Sequence, residues 1–279
     1  MQDYMTARQD YEFLRDKKCF IFDIDGTVAR GLTPIPEAVE FILKLREKGR
    51  RVVFYTNNPN RSHGQAAQYL NGMGFETNED EIFSSAEPTV EYLRAHHANA
   101  RLFLVGVPDM EKYFAAEGFS VVGMNADEAD VVLVGFDKTL TYDKVAKACH
   151  FICGGAKFLA THPDLDVPVE NGKRIPDCGS MCAMITAVTE KEPLYLGKPN
   201  PIGLPLLEKM TGLTADEMCM VGDRLYTDIE FGNRAGMTSL LVLTGATDAE
   251  GAKSAADKQD EQSPTIVLPH LGYVTELLK

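Results

Sequence analysis

The chain has 279 residues, of which 44 % are hydrophobic and 25 % are charged, so wholesale disorder is excluded and one large or two modest domains are expected. Lysine and arginine total 28 against 41 aspartate and glutamate residues, which gives a net charge of −13. Because so acidic a surface repels phosphate backbones and anionic lipid, no main role in binding nucleic acid or a membrane is expected.

Short β-branched runs alternate with helical patterns along the whole chain, which predicts a mostly parallel sheet covered by helices. In the first third, strands are predicted at 19–22, 51–55 and 82–84, with helices at 36–48 and 62–73. The middle third has predicted strands at 101–105, 131–134 and 157–160, helices at 109–116, 142–153 and 179–189, and a hairpin-like segment at 169–175. The last third has predicted strands at 218–221, 240–243 and 266–268, helices at 202–210 and 226–235, and a terminal helix. Residues 247–263 are expected to form an exposed loop or a loose helix.

The N-terminal segment and the cysteines bear on where the protein resides. Residues 1–16 mix acidic and basic side chains and have no apolar stretch, so no secretory signal is predicted and the expected location is the cytosol. The six cysteines do not suggest a disulfide framework in a chain of this length. Two pairs, Cys149 with Cys153 and Cys178 with Cys182, have helical spacing that permits a zinc site, but small buried side chains are the expected explanation.

Acidic or small polar residues follow three of the predicted strands, namely Asp23 and Asp25, then Thr56, Asn57 and Asn58, and finally Asp223. Because the carboxyl ends of parallel strands meet at one edge of a sheet, these side chains are expected to converge. Clustered carboxylates repel one another and lose solvation, so they need a cation between them. With oxygen ligands alone, Mg²⁺ is the predicted cation.

Motifs for several other activities are missing. The spacing after Asp23 does not fit a calcium-binding loop, and no glycine-rich dinucleotide loop, P-loop or G-x-S-x-G elbow occurs in the sequence.

Four segments in chain order carry a resemblance to a known family. Residues 22–27 (FDIDGT), 55–58 (YTNN), 197–199 (GKP) and 221–228 (VGDRLYTD) resemble the four motifs of the haloacid dehalogenase superfamily of phosphotransferases. Each motif alone also fits an ordinary turn or helix cap, whereas the ordered set of four is specific. Residues 134–142, 160–164 (ATHPD) and 178–180 are similar to the class II cap of the NagD or 4-nitrophenylphosphatase-type subfamily.

The resemblance implies an α/β fold with a Rossmann-like, mostly parallel core at 1–84 and 192–279 and an inserted α/β cap at 85–191. The sequence departs from the family pattern at two positions in the cap. His162 stands where asparagine is common, and Asp177 precedes Cys178 where a glycine or proline pair is more usual. Both departures are expected to alter how a substrate fits.

The resemblance also implies roles for the acidic residues. Asp23 is the expected nucleophile, which forms an aspartyl-phosphate, and Asp25 is the expected general acid and base. Mg²⁺ is expected to bind the carboxylates of Asp23 and Asp223 and the backbone carbonyl of Asp25. Asp228 is expected to orient Lys198 or a water molecule on the metal.

Other residues are implied to bind the substrate. The Thr56 hydroxyl and the amides around Asn57 and Asn58 are expected to hold the phosphoryl oxygens, with Lys198 neutralising their charge. In the cap, His162 and Asp164 are expected to contact the leaving group, although an ordinary solvent-exposed turn is the alternative for these two.

The resulting expectation is a Mg²⁺-dependent phosphatase of small phosphomonoesters such as a nucleotide, a sugar phosphate or a similar metabolite. The resemblance further implies a homodimer. Two alternatives stay open, a phosphomutase that uses the same aspartates and a non-catalytic, metal-dependent binding protein. Release of phosphate without an activating bisphosphate would separate a phosphatase from a mutase.

Overall fold

The computed structural model describes residues 11–169 and 173–275 of the chain. The first run of elements is β1 (Cys19–Phe22), β2 (Ala29–Arg30), β3 (Thr33–Pro34), α1 (Pro36–Glu47), β4 (Arg51–Thr56), α2 (His63–Asn71) and β5 (Ile82–Ser84). The middle run is α3 (Ala86–His96), β6 (Arg101–Val105), α4 (Pro108–Ala116), β7 (Ser120–Val122), β8 (Val131–Val134), α5 (Tyr142–Cys153), β9 (Lys157–Ala160), β10 (Asp166–Val169), β11 (Lys173–Pro176), α6 (Cys178–Thr189) and β12 (Leu194–Tyr195). The last run is α7 (Leu204–Thr211), β13 (Met218–Gly222), α8 (Glu230–Arg234), β14 (Thr238–Val242), α9 (Ala249–Lys258), β15 (Ile266–Leu268) and α10 (Gly272–Thr275). Short 3₁₀ helices occur at Glu12–Asp16, Glu79–Glu81, Pro201–Gly203 and Ala215–Glu217, and a π-helical turn at Leu225–Ile229.

Two parallel sheets form the framework of the molecule. The first has six strands in the order β15-β14-β13-β1-β4-β5, and the second has five in the order β12-β9-β8-β6-β7. Every neighbouring pair in both sheets is parallel, whereas β10–β11 and β2–β3 are antiparallel hairpins. The predicted α/β class with mostly parallel sheets is therefore confirmed.

Both faces of the first sheet are buried, which explains why its strands are mostly apolar in the sequence and why β1 is apolar throughout. On β1, Phe20 and Phe22 pack into the hydrophobic cluster on one face, and Cys19 and Ile21 pack into the cluster on the other face. Since successive side chains of a strand alternate between the two faces, an all-apolar strand indicates helices on both sides.

The second sheet continues beyond the boundary that the sequence suggests for the cap. β12 pairs with β9, with Leu194 opposite Leu159 and Tyr195 opposite Ala160. The strand pairing therefore adds residues up to 195 to the second sheet. The division into a core at 1–84 and 192–279 and a cap at 85–191 stays a prediction.

Several helices differ from the sequence-based expectation. Helix α3 was not predicted, and residues 247–263 contain a regular helix, α9, that buries Ala252 and Ala255. The helix predicted at 226–235 begins as the π-helical turn, and the one predicted at 202–210 begins with a 3₁₀ turn. Residues 170–172 of the predicted hairpin, 276–279 of the terminal helix and 1–10 of the N-terminal segment lie outside the described residues.

Two further findings concern metals and membranes. Across residues 11–169 and 173–275, no helix is long and apolar enough to cross a membrane. Within the same residues, no group of three or more metal-ligating side chains includes a cysteine, so the two cysteine pairs do not come together as a zinc site there.

Candidate active site

The polar residues that follow β1, β4 and β13 meet at the carboxyl edge of the first sheet, because β1 lies between the other two strands. They line one wall of a pocket, and residues between the strand β9 and the helix α6 line the opposite wall. The first-sheet side contributes Asp23, Asp25, Thr56, Asn57, Asn58, Lys198, Arg224 and Thr227. The opposite wall is formed by Asp164, Asp166, Val167 and Asp177. The structure thus brings the predicted residues of both parts to one pocket, with the exception of Asp223, Asp228 and His162, which lie behind its walls.

Lys198 is the cation at the centre of the site. Its side chain is almost fully buried, and Nζ donates to Asp23 Oδ1 at 2.7 Å, to Asp228 Oδ1 at 2.7 Å and to the carbonyl of Tyr55 at 2.9 Å. Burial alone would lower the pKa of Lys198, but the carboxylates of Asp228 and Asp23 outweigh it and hold that pKa well above its ordinary value. The lysine therefore stays charged beside Asp23.

Three carboxylates form a tight acidic group around that lysine. Oxygens of Asp23, Asp223 and Asp228 all lie within 4.8 Å of one another. Burial raises the pKa of Asp223 to about 7, with the negative charge of Asp228 adding to the effect. Burial likewise raises the pKa of Asp23 well above its ordinary value, although Lys198 opposes the rise. Buried carboxylates that resist ionisation in this way have too little positive charge around them, and a divalent cation with oxygen ligands fits this donor set.

The position of Asp223 depends on the turn after β1. Asp223 Oδ2 accepts the backbone NH of Ala246 at 2.6 Å, and Oδ1 accepts the Thr27 hydroxyl at 3.3 Å. Gly26 has φ +98°, and a Cβ atom built there would lie 2.3 Å from Asp223 Oδ2. Only glycine therefore lets the chain turn at this point while the carboxylate of Asp223 packs against it.

Asp25 lies beyond the end of β1 and lines the pocket, and it pairs with Ala29 in an isolated β-bridge. Burial raises the pKa of its carboxyl, and the nearby cations Arg61 and Arg224 oppose the rise. Its carboxylate does not belong to the acidic group of Asp23, Asp223 and Asp228. The expectation that Asp25 binds a metal through its backbone carbonyl stays a prediction.

Asp228 is positioned by the π-helical turn. Its Oδ1 accepts from Lys198, and its Oδ2 accepts the backbone NH of Arg224 at 3.1 Å. A π-helical turn is wider than an α-helical one and is frequent at functional sites. Both oxygens of Asp228 are thus engaged in holding Lys198 and the segment that follows β13.

The polar residues at the end of β4 and just after it differ in which hydrogen-bonding groups stay free to bind a ligand. The Thr56 hydroxyl oxygen accepts the backbone NH of Asn58 at 3.1 Å, which leaves its own proton free to be donated. The Asn57 side chain is buried, and it donates to Asp164 Oδ2 at 2.8 Å and accepts the backbone NH of Lys198 at 3.0 Å. Asn58 Oδ1 accepts the backbone NH of Asn60. The side chain of Asn57 therefore connects Asp164 of the opposite wall with the backbone of Lys198 on the first-sheet side.

Arg224 and Asp164 connect the two sides of the pocket. Arg224 Nη1 lies 3.2 Å from Asp164 Oδ1, and Nη2 lies 3.3 Å from Asp166 Oδ1. Arg224 also donates to the Tyr226 hydroxyl at 2.8 Å. Asp164, predicted from the sequence, thus lines the pocket and is bonded to the first-sheet side by both Asn57 and Arg224.

His162 does not reach the pocket in this structure. Its side chain has no exposed surface, Nδ1 lies 2.8 Å from the Thr161 hydroxyl, and Nε2 lies 3.0 Å from Asp177 Oδ1. Burial would lower the pKa of His162, but Cys178 and Asp177 outweigh it and raise that pKa to about 9. Any influence of His162 on a substrate must therefore pass through a neighbour that lines the pocket.

Four residues that line the pocket were not predicted from the sequence, namely Asp166, Asp177, Arg224 and Thr227. Arg224 and Thr227 lie inside the fourth motif, and Asp177 is one of the two departures from the family pattern, so the sequence did contain a signal for these three. Asp166 had none, because only the pairing of β10 with β11 and the docking of that hairpin bring it to the pocket.

Two family models match the chain. Residues 20–120 match a model described as haloacid dehalogenase-like hydrolase, and residues 195–273 match one described as HAD-hydrolase-like. Among curated proteins, a 5′-nucleotidase of Bacillus subtilis, YutF, is 33 % identical, covering 85 % of this chain and 91 % of the relative. An acid sugar phosphatase of Staphylococcus epidermidis is 30 % identical, covering 86 % of this chain and 92 % of the relative.

Solved structures of similar fold cover nearly the whole chain. A 4-nitrophenylphosphatase from Thermotoga maritima has a TM-score of 0.85 and 37 % identity, covering 96 % of this chain and 99 % of its own. A glycerol phosphate phosphatase from Mycobacterium tuberculosis, in complex with magnesium, has a TM-score of 0.84 and 31 % identity, covering 95 % of this chain and 77 % of its own.

Proposed function

Because the chain belongs to the haloacid dehalogenase-like hydrolases, of the NagD-like type, we propose that it is a Mg²⁺-dependent phosphatase of small phosphomonoesters that works through an aspartyl-phosphate. The single observation that carries this proposal is the environment of Asp23. Its carboxylate faces the pocket, lies 2.7 Å from the ammonium group of Lys198 and belongs to the acidic group with Asp223 and Asp228.

Asp23 is the proposed nucleophile. One carboxylate oxygen attacks phosphorus and forms an acyl phosphate, the bond to the leaving oxygen breaks, and water later hydrolyses the acyl phosphate. Lys198 holds one oxygen of Asp23 and directs the other. The same ammonium group also neutralises the negative charge that develops on the phosphoryl oxygens in the transition state.

Asp25 is the proposed general acid and base. It lines the pocket two residues beyond Asp23, which places a protonatable group beside the leaving oxygen of a bound phosphomonoester. The proton passes from Asp25 to the leaving alkoxide in the first step and from water to Asp25 in the second.

Thr56 and the loop that follows it are the proposed phosphate clamp. The Thr56 hydroxyl can donate to a phosphoryl oxygen while it accepts from Asn58. The backbone amides around Asn57 and Asn58 supply further donors, and the side chain of Asn57 fixes this loop against Lys198 and Asp164.

The acidic group is the proposed Mg²⁺ site. Asp23, Asp223 and the backbone carbonyl of Asp25 would hold the ion, with Asp228 fixing the neighbouring segment and Lys198. When bound, Mg²⁺ would supply positive charge to the transferring phosphoryl group and orient it for in-line attack.

The size and lining of the pocket favour a small substrate. Asp164, Asp166, Val167 and Asp177 approach from the opposite wall, so a phosphoprotein would not fit between the two parts without their separation. Nucleotides and sugar phosphates, the substrate types in the names of the relatives, are candidates.

The test is phosphate release from 4-nitrophenyl phosphate by the wild-type protein, Asp23→Asn and the control Asp80→Asn. Asp80 is an exposed aspartate on the 3₁₀ helix Glu79–Glu81 and does not line the pocket, so the control makes the same chemical change outside the site. We expect Asp23→Asn to lose at least about three orders of magnitude in kcat, as other nucleophile deletions do. Acid-quenched wild-type protein is expected to carry the mass of one phosphoryl group on the peptide containing Asp23.

Turnover by Asp23→Asn above about a tenth of the wild-type rate would refute the covalent mechanism. Phosphate must also be released without any added bisphosphate, since a mutase would return the phosphoryl group to its substrate.

A further inference from the structure

The two departures from the family pattern are in contact with each other. His162 Nε2 lies 3.0 Å from Asp177 Oδ1, and both side chains are buried. The same oxygen accepts the backbone NH of Cys178 at 2.7 Å, so Asp177 also caps helix α6. Two unusual residues that touch form one structural unit, in which His162 and the helix end fix the carboxylate of Asp177.

The fixed carboxylate belongs to the wall of the pocket. Asp177 lines it, and its second oxygen, Oδ2, accepts no hydrogen bond from any residue that the structure describes. The other carboxylates of this wall, Asp164 and Asp166, are both paired with Arg224. Among the described residues that line the pocket, the cations Lys198 and Arg224 are thus already engaged by carboxylates.

Resting on the proposed phosphatase function, we propose that Asp177, held by His162, is a specificity-determining residue that selects phosphomonoesters whose leaving group is a neutral polyol. A hydroxyl group of such a leaving group donates to Oδ2 of Asp177 and replaces the hydrogen bond that this oxygen loses with water. A leaving group that carries a second anion faces the carboxylates of this wall, and the nearby Arg224 is already paired with Asp164 and Asp166, so burial of that second charge is poorly compensated.

Two substitutions remove the charge of Asp177 in different ways. Asp177→Gly removes the side chain from the wall, and Asp177→Asn keeps its shape while removing the negative charge. Neither variant is therefore expected to discriminate against a second anion in the leaving group.

The experiment compares kcat/KM for three substrates with saturating Mg²⁺. Glycerol 3-phosphate has a neutral leaving group, 2-phosphoglycolate has a carboxylate in its leaving group, and 4-nitrophenyl phosphate is the reference. We expect the wild-type protein to favour glycerol 3-phosphate over 2-phosphoglycolate, and Asp177→Gly and Asp177→Asn to reduce that ratio by about tenfold or more. The control Asp127→Asn removes an exposed carboxylate between β7 and β8 and is expected to keep the wild-type ratio.

Each outcome is decisive. An unchanged ratio in both Asp177 variants, with 4-nitrophenyl phosphate still hydrolysed, overturns the role of Asp177 and leaves the phosphatase function standing. Failure of the wild-type protein to hydrolyse any of the three substrates overturns both proposals.

His162 is a positioning residue in this proposal, and a double variant tests it. We expect His162→Asn alone to raise KM for glycerol 3-phosphate by about tenfold while kcat changes by less than about twofold, because a loosened Asp177 binds the leaving group less well. In the Asp177→Gly background, His162→Asn is expected to change neither the substrate ratio nor KM further. Additive effects of the two substitutions on the ratio would show that His162 does not act through Asp177.

Discussion

Gly26 shows how a residue without a side chain places a carboxylate. The backbone at this position has φ +98°, and a Cβ atom there would lie 2.3 Å from Asp223 Oδ2. Gly31, a few residues later, also has a positive φ, +57°, but a Cβ atom built there meets nothing within 4 Å. Both glycines therefore have a positive φ, but only Gly26 also lies so close to Asp223 that a side chain would collide with it.

We expect Gly31→Ala to cost about 1 kcal/mol of unfolding free energy, which is the price of a left-handed backbone for alanine, and to keep kcat within twofold or so. Gly26→Ala is expected to cost more and to lower kcat about a hundredfold, because Asp223 must shift by an ångström or so. Urea unfolding and hydrolysis of 4-nitrophenyl phosphate measure the two effects. Equal losses of activity in both variants would show that backbone strain alone is responsible.

At the scale of single residues, the sequence predicts side chains that sit directly at strand ends. Asp23 and Asp223 follow neighbouring strands of one parallel sheet, and that topology alone brings them together. The sequence did not place Asp177 in the site, because its position depends on how the second sheet docks over the first, and no local pattern encodes a contact between segments so far apart in the chain. Arg224 was also not predicted, although it directly follows Asp223 inside the fourth motif.

The hairpin β10–β11 and the loop before it are held to the first-sheet side by Asp164. This carboxylate accepts from Asn57 Nδ2 at 2.8 Å and pairs with Arg224 at 3.2 Å, and both side chains of the ion pair are about one-tenth exposed. Asp166 offers a comparison, since it pairs with the partly buried Arg224 and with Arg174, whose side chain is 64 % exposed.

We expect a double-variant cycle of Asp164→Asn and Arg224→Gln to give a coupling free energy of about 1–3 kcal/mol in urea unfolding. Arg174→Gln is the matched control, and we expect it to cost less than about 1 kcal/mol because an exposed ion pair is screened by water. Asp164→Asn and Arg224→Gln are also expected to raise KM for 4-nitrophenyl phosphate, whereas Arg174→Gln is expected to leave it unchanged. A coupling free energy near zero between Asp164 and Arg224 would contradict this view of the hairpin's attachment.

At the scale of elements, periodicity predicted strands better than helix starts. Strands such as β1 and β8 are apolar along their whole length because they are buried on both faces. Helix α3 was missed, since only Val90 and Leu93 form its central apolar pair and Pro88 in its first turn suggests a loop. The π-helical turn was read as part of an α-helix, because it differs only in backbone bonds that span five residues, such as the one from the Ile229 NH to the Arg224 carbonyl at 3.2 Å.

The molecule as a whole carries a net charge of −13 and buries the acidic group of Asp23, Asp223 and Asp228 with Lys198 as the cation in contact with it. Such a group opposes folding, because burial and mutual repulsion disfavour the charged carboxylates. The proposed Mg²⁺ ion would reverse this effect, since a ligand that binds only the folded state stabilises it. The stability of the whole protein should therefore report on the metal site.

We expect Mg²⁺ at about a hundred times its dissociation constant to raise the unfolding free energy of the wild-type protein by about 2.7 kcal/mol relative to excess chelator. Asp223→Asn removes one of the repelling charges, so we expect it to be at least as stable as the wild-type protein in chelator, to gain little from Mg²⁺ and to be nearly inactive. Thermal unfolding with and without Mg²⁺ measures the stabilities, and Asp80→Asn is the control for loss of a single carboxylate. If Mg²⁺ stabilised Asp223→Asn as much as the wild-type protein, the ion would not bind at Asp223, and the proposed metal site would be wrong.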